Sequence, residues 1–356
     1  LNVPLPPKDA KSHENLLDLA EKYCTIDQIQ AVLRDAKKTN PNVRISGTMK
    51  DVIKHLRDAF KWVPASVDGT YAALCDAEAS GGHLVYMFRA KSEEVRIRYS
   101  DGNAVAISLF GPDWATKQKF PLYHKEPEGE AWADFRVNQL TPTSASWTGK
   151  IYAGILQWKT VSRKEQGNDL YIHRRRELHR ETYIIQWHPD GVLELRVPNS
   201  DSKDNLNGSY LAITGCLSNA IDMAELPPLD LRLANKAILK QSLSTEGPLL
   251  FSLPAVQGED DDFAKWRVST RSKKENLADH AVRRQFIEQF LKPEVTCNHL
   301  GVQWHLTKET CGEARELLTP IGKHGLNTVL IGSQTSSKAV QYVLDEIRRL
   351  AALSEA

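Results

Sequence analysis

The sequence is poor in cysteine and methionine and has no long apolar run. Its five cysteines, Cys24, Cys75, Cys216, Cys297 and Cys311, lie far apart and form no C-x-x-C pair. An odd number at such spacings argues against a disulfide framework and a cysteine-rich zinc module, and points to reduced thiols. No stretch approaches the roughly 18 apolar residues that span a bilayer. The proline-rich lead-in Leu1-Asn2-Val3-Pro4-Leu5-Pro6-Pro7-Lys8 lacks the basic start and apolar centre of a signal peptide. A cytoplasmic protein with no membrane partner is therefore expected. A strong charge of either sign is also missing: 46 Lys and Arg against 45 Asp and Glu leave a net charge of +1. Any nucleic-acid site must come from local clustering of cations.

Catalytic signatures are equally scarce. There is no GxxxxGK[ST], no GxGxxG after a strand-like run and no GxSxG elbow. The eleven histidines form neither HExxH nor a Cys/His zinc spacing. No catalytic residue, metal ligand or cofactor is assigned from the sequence. A restriction-type nuclease would need an acidic pair on adjacent strands with a nearby lysine. Asp190 with Glu194 and Arg196 is superficially similar, but the spacing is short and arginine replaces lysine.

What is present reads as an α+β protein. At 356 residues, with 41% hydrophobic and 26% charged residues, the chain has room for two or three domains. Residues 12–80 carry four helical patterns, with Thr25 and Thr48 as caps and Asn40-Pro41-Asn42 as a break. Period-two patterns at 83–88, 95–99 and 104–110 predict strands, the last two joined by Asp101-Gly102-Asn103 as a hairpin turn. Helices ending in such a sheet suggest a winged-helix-like unit. Residues 111–130 read as a linker. Strands are expected at 132–140 and 147–158, and the clearest hairpin joins 183–188 to 192–197 through Pro189-Asp190-Gly191. Helices at 205–220, 229–243 and 276–291 follow, with an acidic surface turn at 258–262. The end of the chain alternates: strand 299–306, helix 311–318, strand 327–332, helix 335–353. The expected division is a helical, DNA-binding-like unit with a small sheet (1–110), a β-rich central domain with helices (111–245) and a C-terminal α/β segment (246–356).

Two basic features point to a function class. The first is Arg44-Ile45-Ser46-Gly47-Thr48, followed by Val52-Ile53-Lys54-His55-Leu56. With the helix from Thr25 to Leu33, residues 25–57 resemble the SAP motif, a helix–extended loop–helix DNA-binding module with a Ser-Gly-Thr/Lys turn entering its second helix. Met49 stands where that family usually has lysine, and the connection through Lys37-Lys38-Thr39-Asn40-Pro41-Asn42 is longer. The resemblance implies that Arg44, Ser46, Gly47, Thr48, Lys50, Lys54 and Arg57 face duplex backbone. A helix start with open N–H groups and a positive dipole end suits a phosphate.

The second feature is Tyr171-Ile172-His173-Arg174-Arg175-Arg176-Glu177-Leu178-His179-Arg180. Arginine forks bind phosphate bidentately. On a strand, Arg174, Arg176 and Arg180 share a face, and Arg96 and Arg98 could extend it into a basic sheet surface with Tyr171 available for stacking. The tract also contains an Arg-x4-His spacing like that of HEPN-type ribonucleases, an all-helical family, whereas strand-like segments flank this one. The expectation is non-catalytic nucleic-acid binding, with duplex DNA as partner and Arg174, Arg175, Arg176, Arg180, Arg96 and Arg98 as a second basic surface. The alternatives are a subunit that docks an acidic protein partner, and a nuclease whose site assembles from distant residues.

Overall fold

The structure is a computed structural model that describes residues 10–123, 127–138, 145–166, 169–199, 203–244, 251–260, 265–270, 275–279, 281–311, 314–332 and 335–353. The chain opens with four helices, α1 (Ala10–Tyr23), α2 (Ile26–Thr39), α3 (Met49–Trp62) and α4 (Ala65–Ala79). α2 starts at a reciprocal cap: the Gln28 N–H donates to Thr25 Oγ1 at 3.3 Å, and the Thr25 N–H donates to Gln28 Oε1 at 2.8 Å. In α3, Val52, Ile53, Leu56, Ala59 and Phe60 are buried on one stripe. Leu16, Leu33, Leu56 and Leu74, one from each helix, are fully buried in a common core.

Then come β1 (His83–Arg89), α5 (Glu93–Ser100), α6 (Gly102–Phe110), α7 (Trp114–Lys117), β2 (Glu130–Asn138), β3 (Ser146–Gln166), β4 (Asp169–Trp187) and β5 (Val192–Pro198). The remainder holds α8 (Lys203–Leu217), α9 (Arg232–Leu243), β6 (Phe251–Asp260), β7 (Lys265–Ser269), α10 (Ala281–Gln289), β8 (Val295–Leu306), α11 (Lys308–Cys311), β9 (Arg315–Ile321), β10 (Thr328–Ile331) and α12 (Ser337–Leu353). This is an α+β fold. Among the described residues the strands form one ten-stranded sheet in the order β2-β3-β4-β5-β1-β10-β9-β8-β6-β7. Every neighbouring pair is antiparallel. The segments 1–110, 111–245 and 246–356 each contribute strands, and β1 sits between β5 and β10.

Strand alternation splits the residues of β1, β4 and β5 between two faces. Leu84, Tyr183, Ile185, Trp187, Leu193 and Leu195 enter a core with α5, α6 and α8. Val85, Met87 and Val192 enter the opposite core, which α9, α10 and α12 complete. The four-helix bundle covers that second face over β2, β3 and β4, where Tyr71 and Glu78 of α4 reach Asp134, Lys150 and Arg180.

The hairpin at 183–197 forms as expected, with Gly191 at φ +81° in its turn and the His188 N–H donating to the Val192 carbonyl at 2.9 Å. Other expectations fail for identifiable reasons. Residues 95–99 and 104–110 are helices, not a hairpin. Ser92 Oγ accepts the Val95 N–H at 3.3 Å, and Asp101 Oδ1 accepts the Asn103 and Ala104 N–H groups at 3.1 and 3.0 Å. Asp101 is thus a helix cap rather than a turn residue, and the small sheet expected in that region reduces to β1. The helix expected at 311–318 ends at Cys311, and 315–321 is β9, paired along its length with β8. The acidic turn expected at 258–262 is strand β6 as far as Asp260, and residues 261 and 262 lie outside the described residues.

Candidate nucleic-acid interface

The SAP-like segment occupies α2, the connection from Asn40 to Thr48, and α3. Arg44, Ser46, Gly47, Thr48, Lys50, Lys54 and Arg57 are all exposed. Lys50, Lys54 and Arg57 share one stripe of α3, because residues four and three apart on a helix fall on one face. The start of that helix already holds an anion. Asp51 Oδ2 accepts from the Thr48 N–H at 2.9 Å and from Thr48 Oγ1 at 2.7 Å. Those two bonds hold the Asp51 carboxyl below its usual range. Gly47 serves this cap: its φ is +142°, and a Cβ there would lie 2.4 Å from Asp51 Cβ. Arg57 donates to both Glu14 oxygens, at 3.0 and 2.8 Å. Arg44, Lys50 and Lys54 make no ion pair with a described residue.

Arg96 and Arg98 do not join a basic sheet surface. They lie on α5, where Arg96 pairs with Glu93 and braces the β4–β5 turn by donating to the Pro189 carbonyl at 2.8 Å. Arg98 donates to Glu225 at 2.7 Å.

The arginine tract lies on an element whose length local sequence patterning does not predict. β2 accompanies β3 only as far as Ala153, and β5 accompanies β4 only from Ile184 onward. Between these limits β3 and β4 continue alone, paired from Gly154↔Arg180 to Gln166↔Asp169 with one bulge between Thr160 and Ser162. At about 3.3 Å per residue the resulting two-stranded arm is roughly 40 Å long. Residues 159–176 include six Lys or Arg and only two acidic residues, so positive charge is concentrated here in a nearly neutral chain.

Paired residues share a face and successive residues alternate. Arg163, Leu170, Ile172, Arg174 and Arg176 therefore project to one side of the arm, and Lys164, Tyr171, His173 and Arg175 to the other. All nine are exposed. Arg175 pairs with Glu177. Arg174 and His179 are five residues apart on a regular stretch of strand and point to opposite faces, so the Arg-x4-His spacing does not form a site.

Arg180 departs from the expectation. It shares the parity of Arg174 and Arg176, but its side chain is fully buried where α1 and α4 cover the root of the arm. Its guanidinium lies 4.0 Å from the Tyr152 ring centroid and 4.2 Å from that of Tyr23, and donates to Glu78 Oε1 at 2.7 Å. Glu78 also accepts from Lys150 at 2.7 Å and from the Tyr152 hydroxyl at 3.1 Å. Burial favours the neutral amine of Lys150, but Cys75 and Glu78 outweigh it and hold the ammonium well above the usual lysine range. Arg180 anchors the arm and is not available to phosphate. The sequence offers no local signal for this cluster, whose members come from α1, α4, β3 and β4.

Beside the root a cleft of about 330 Å³ is lined by Tyr23, Glu78, His83, His179, Arg180 and Glu181, among others. Burial, then the charge of Arg196, pushes the His83 imidazole down to about 4. Burial, with Lys22 and Arg180, also lowers His179, while burial raises Glu181. Glu194, Arg196 and His188 form a buried ionic group on the same face as His83, so Glu194 is committed inside the fold. Among the described residues no cluster of three His, Cys, Asp or Glu side chains is placed to hold a metal ion, and no helix is long and apolar enough to cross a membrane. No protein-family model matches the chain, and no curated protein is significantly similar to it.

Proposed function

We propose that this protein binds duplex nucleic acid, DNA in the first instance, by laying the β3–β4 arm into a groove. The observation that carries the reading is the arm itself: a two-stranded ribbon of about 40 Å, exposed on both faces, with Arg163, Arg174, Arg175, Arg176 and Lys164 along it. A duplex groove of about 12 Å admits a two-stranded ribbon. Arginines on both faces would meet the phosphates that border it, which fixes position without reading sequence. Arg44, Lys50 and Lys54 on the helical bundle offer a second, weaker contact to backbone.

The test is fluorescence anisotropy with labelled duplex DNA, single-stranded DNA and RNA at about 50 and 200 mM salt. Salt-sensitive binding is expected, weakened in R174A/R176A with a salt slope lower by about two, one for each phosphate no longer neutralised. Unchanged affinity in that variant overturns the assignment. A second reading, a nuclease, draws on the cleft at the arm root with its two histidines. Denaturing gels of the same samples decide it: cleavage abolished by H179A would make the protein a hydrolase, and intact probe retains the binding reading.

A further inference from the structure

The arm carries more than charge. Of fourteen large hydrophobic side chains exposed among the described residues, five lie on it: Leu156, Val161, Leu170, Tyr171 and Ile172. Three of these, Leu170, Tyr171 and Ile172, follow the last described pair of the ribbon, Gln166↔Asp169. Leu170 is 54% exposed and Tyr171 56%. Cations stand in register with two of them, Arg163 opposite Ile172 and Lys164 opposite Tyr171, and Glu165 is opposite Leu170. Exposed edge strands ordinarily carry charge without such apolar residues, since these invite association.

From this juxtaposition of apolar tip and flanking cations we infer that the arm is a wedge, which inserts Leu170 and Ile172 at a base step whose stacking is already broken: a mismatch, a nick or an unpaired base. The inference rests on the reading of the arm as a nucleic-acid contact and adds the substrate class. Apolar side chains that enter a duplex must unstack bases, and this cost is smallest where the duplex is already damaged or mismatched. Tyr171 supplies a ring on which an exposed base can stack. Arg163 and Lys164, one on each face, reach the phosphates on either side of the opened step. A lipid surface suits the tip poorly, because Ile172 and Tyr171 each have a cation directly across from them and Leu170 has the Glu165 carboxylate, so neither face is uniformly apolar.

The experiment compares the full chain on three duplexes of one sequence: intact, with a single mismatch, and with a two-nucleotide bulge. Each carries 2-aminopurine beside the defect position. Wild type is expected to bind the defective duplexes about tenfold or more tighter than the intact one, with a rise in 2-aminopurine fluorescence on binding. L170T/I172T places a β-branched, strand-compatible residue at both positions and is expected to lose both the preference and the fluorescence rise while binding the intact duplex as wild type does. R163A is expected to weaken binding to all three duplexes alike. Equal affinity of wild type for all three overturns the wedge and leaves groove binding standing. Failure to bind any duplex overturns both readings. Binding to anionic vesicles, or self-association, that L170T/I172T abolishes would assign the tip to lipid or to a second copy and overturn the wedge.

Discussion

Arg180 of β4 and Glu78 of α4 form a 2.7 Å ion pair in which both side chains are almost wholly excluded from solvent. This pair, with Lys150 on the other carboxylate oxygen, ties the helical bundle to the root of the arm. A two-stranded ribbon alone is marginally stable in water. Anchoring at its base, together with continuation of both strands into the sheet, lets it project.

Substitution should separate the two roles of arginine within one tract. R180A leaves Glu78 short of a partner inside the fold and removes a guanidinium stacked on two tyrosines, so a loss of about 3–5 kcal/mol is expected in urea unfolding. R174A, on the exposed arm, should change stability by less than about 0.5 kcal/mol and act on binding alone. Equal stability of the two variants would refute the anchor.

The SAP-like turn makes a different prediction. If the start of α3 lies near phosphate, the Asp51 carboxylate opposes that contact. D51N should then raise duplex affinity by about 2–5-fold at low salt, the range of a charge at a helix terminus. An unchanged affinity would remove this helix start from the interface while leaving the arm untouched.

Acid should weaken the fold through His83. Its pKa falls from 6.5 to about 4 on folding because the imidazole is buried beside Arg196. The unfolded chain takes up a proton below pH 6.5 that the folded chain refuses until about pH 4. Stability is therefore full above pH 6.5 and declines as pH falls between those values, by about 3 kcal/mol at 1.36 kcal/mol per pKa unit. Glu194, held down at about 2 by Arg196 and His188 against the effect of burial, contributes stability above pH 4.5 that is lost on further descent. Urea midpoints at pH 7 and 4.5 should differ less in H83Q than in wild type.

Thiol chemistry should divide the cysteines. Burial pushes Cys24 and Cys297 up to about 12, and the thiolate is the reactive form. Both should resist a thiol reagent at pH 8 in the native protein and react once it is unfolded. Mass spectrometry after brief labelling would show this directly, and prompt labelling of Cys297 in the native state would contradict its burial.

Much of the fold was legible locally. The bundle helices announce themselves by Thr25, Thr48 and their apolar stripes, and the 183–197 hairpin by its Pro-Asp-Gly turn. Residues 95–99 and 104–110 misled because their short alternating runs fit either period, and the caps Ser92 and Asp101 decided for helix. The arm could have been suspected from Gly167-Asn168 between two runs of strand character. Its length could not, because it depends on where β2 and β5 stop accompanying β3 and β4.

The α+β class, the concentration of arginine at 174–180 and the lack of any complete catalytic signature can be read from the chain directly, because these are properties of composition and near-neighbour spacing. That Arg174 and Arg176 stand on an exposed arm while Arg180 is locked beneath the bundle, and that Arg96 and Arg98 belong to a helix, follows from how distant segments pack together. Residues of like parity on one strand are equivalent in sequence. They become different when Tyr23 and Glu78, more than a hundred positions away, cover one of them and leave the others in water.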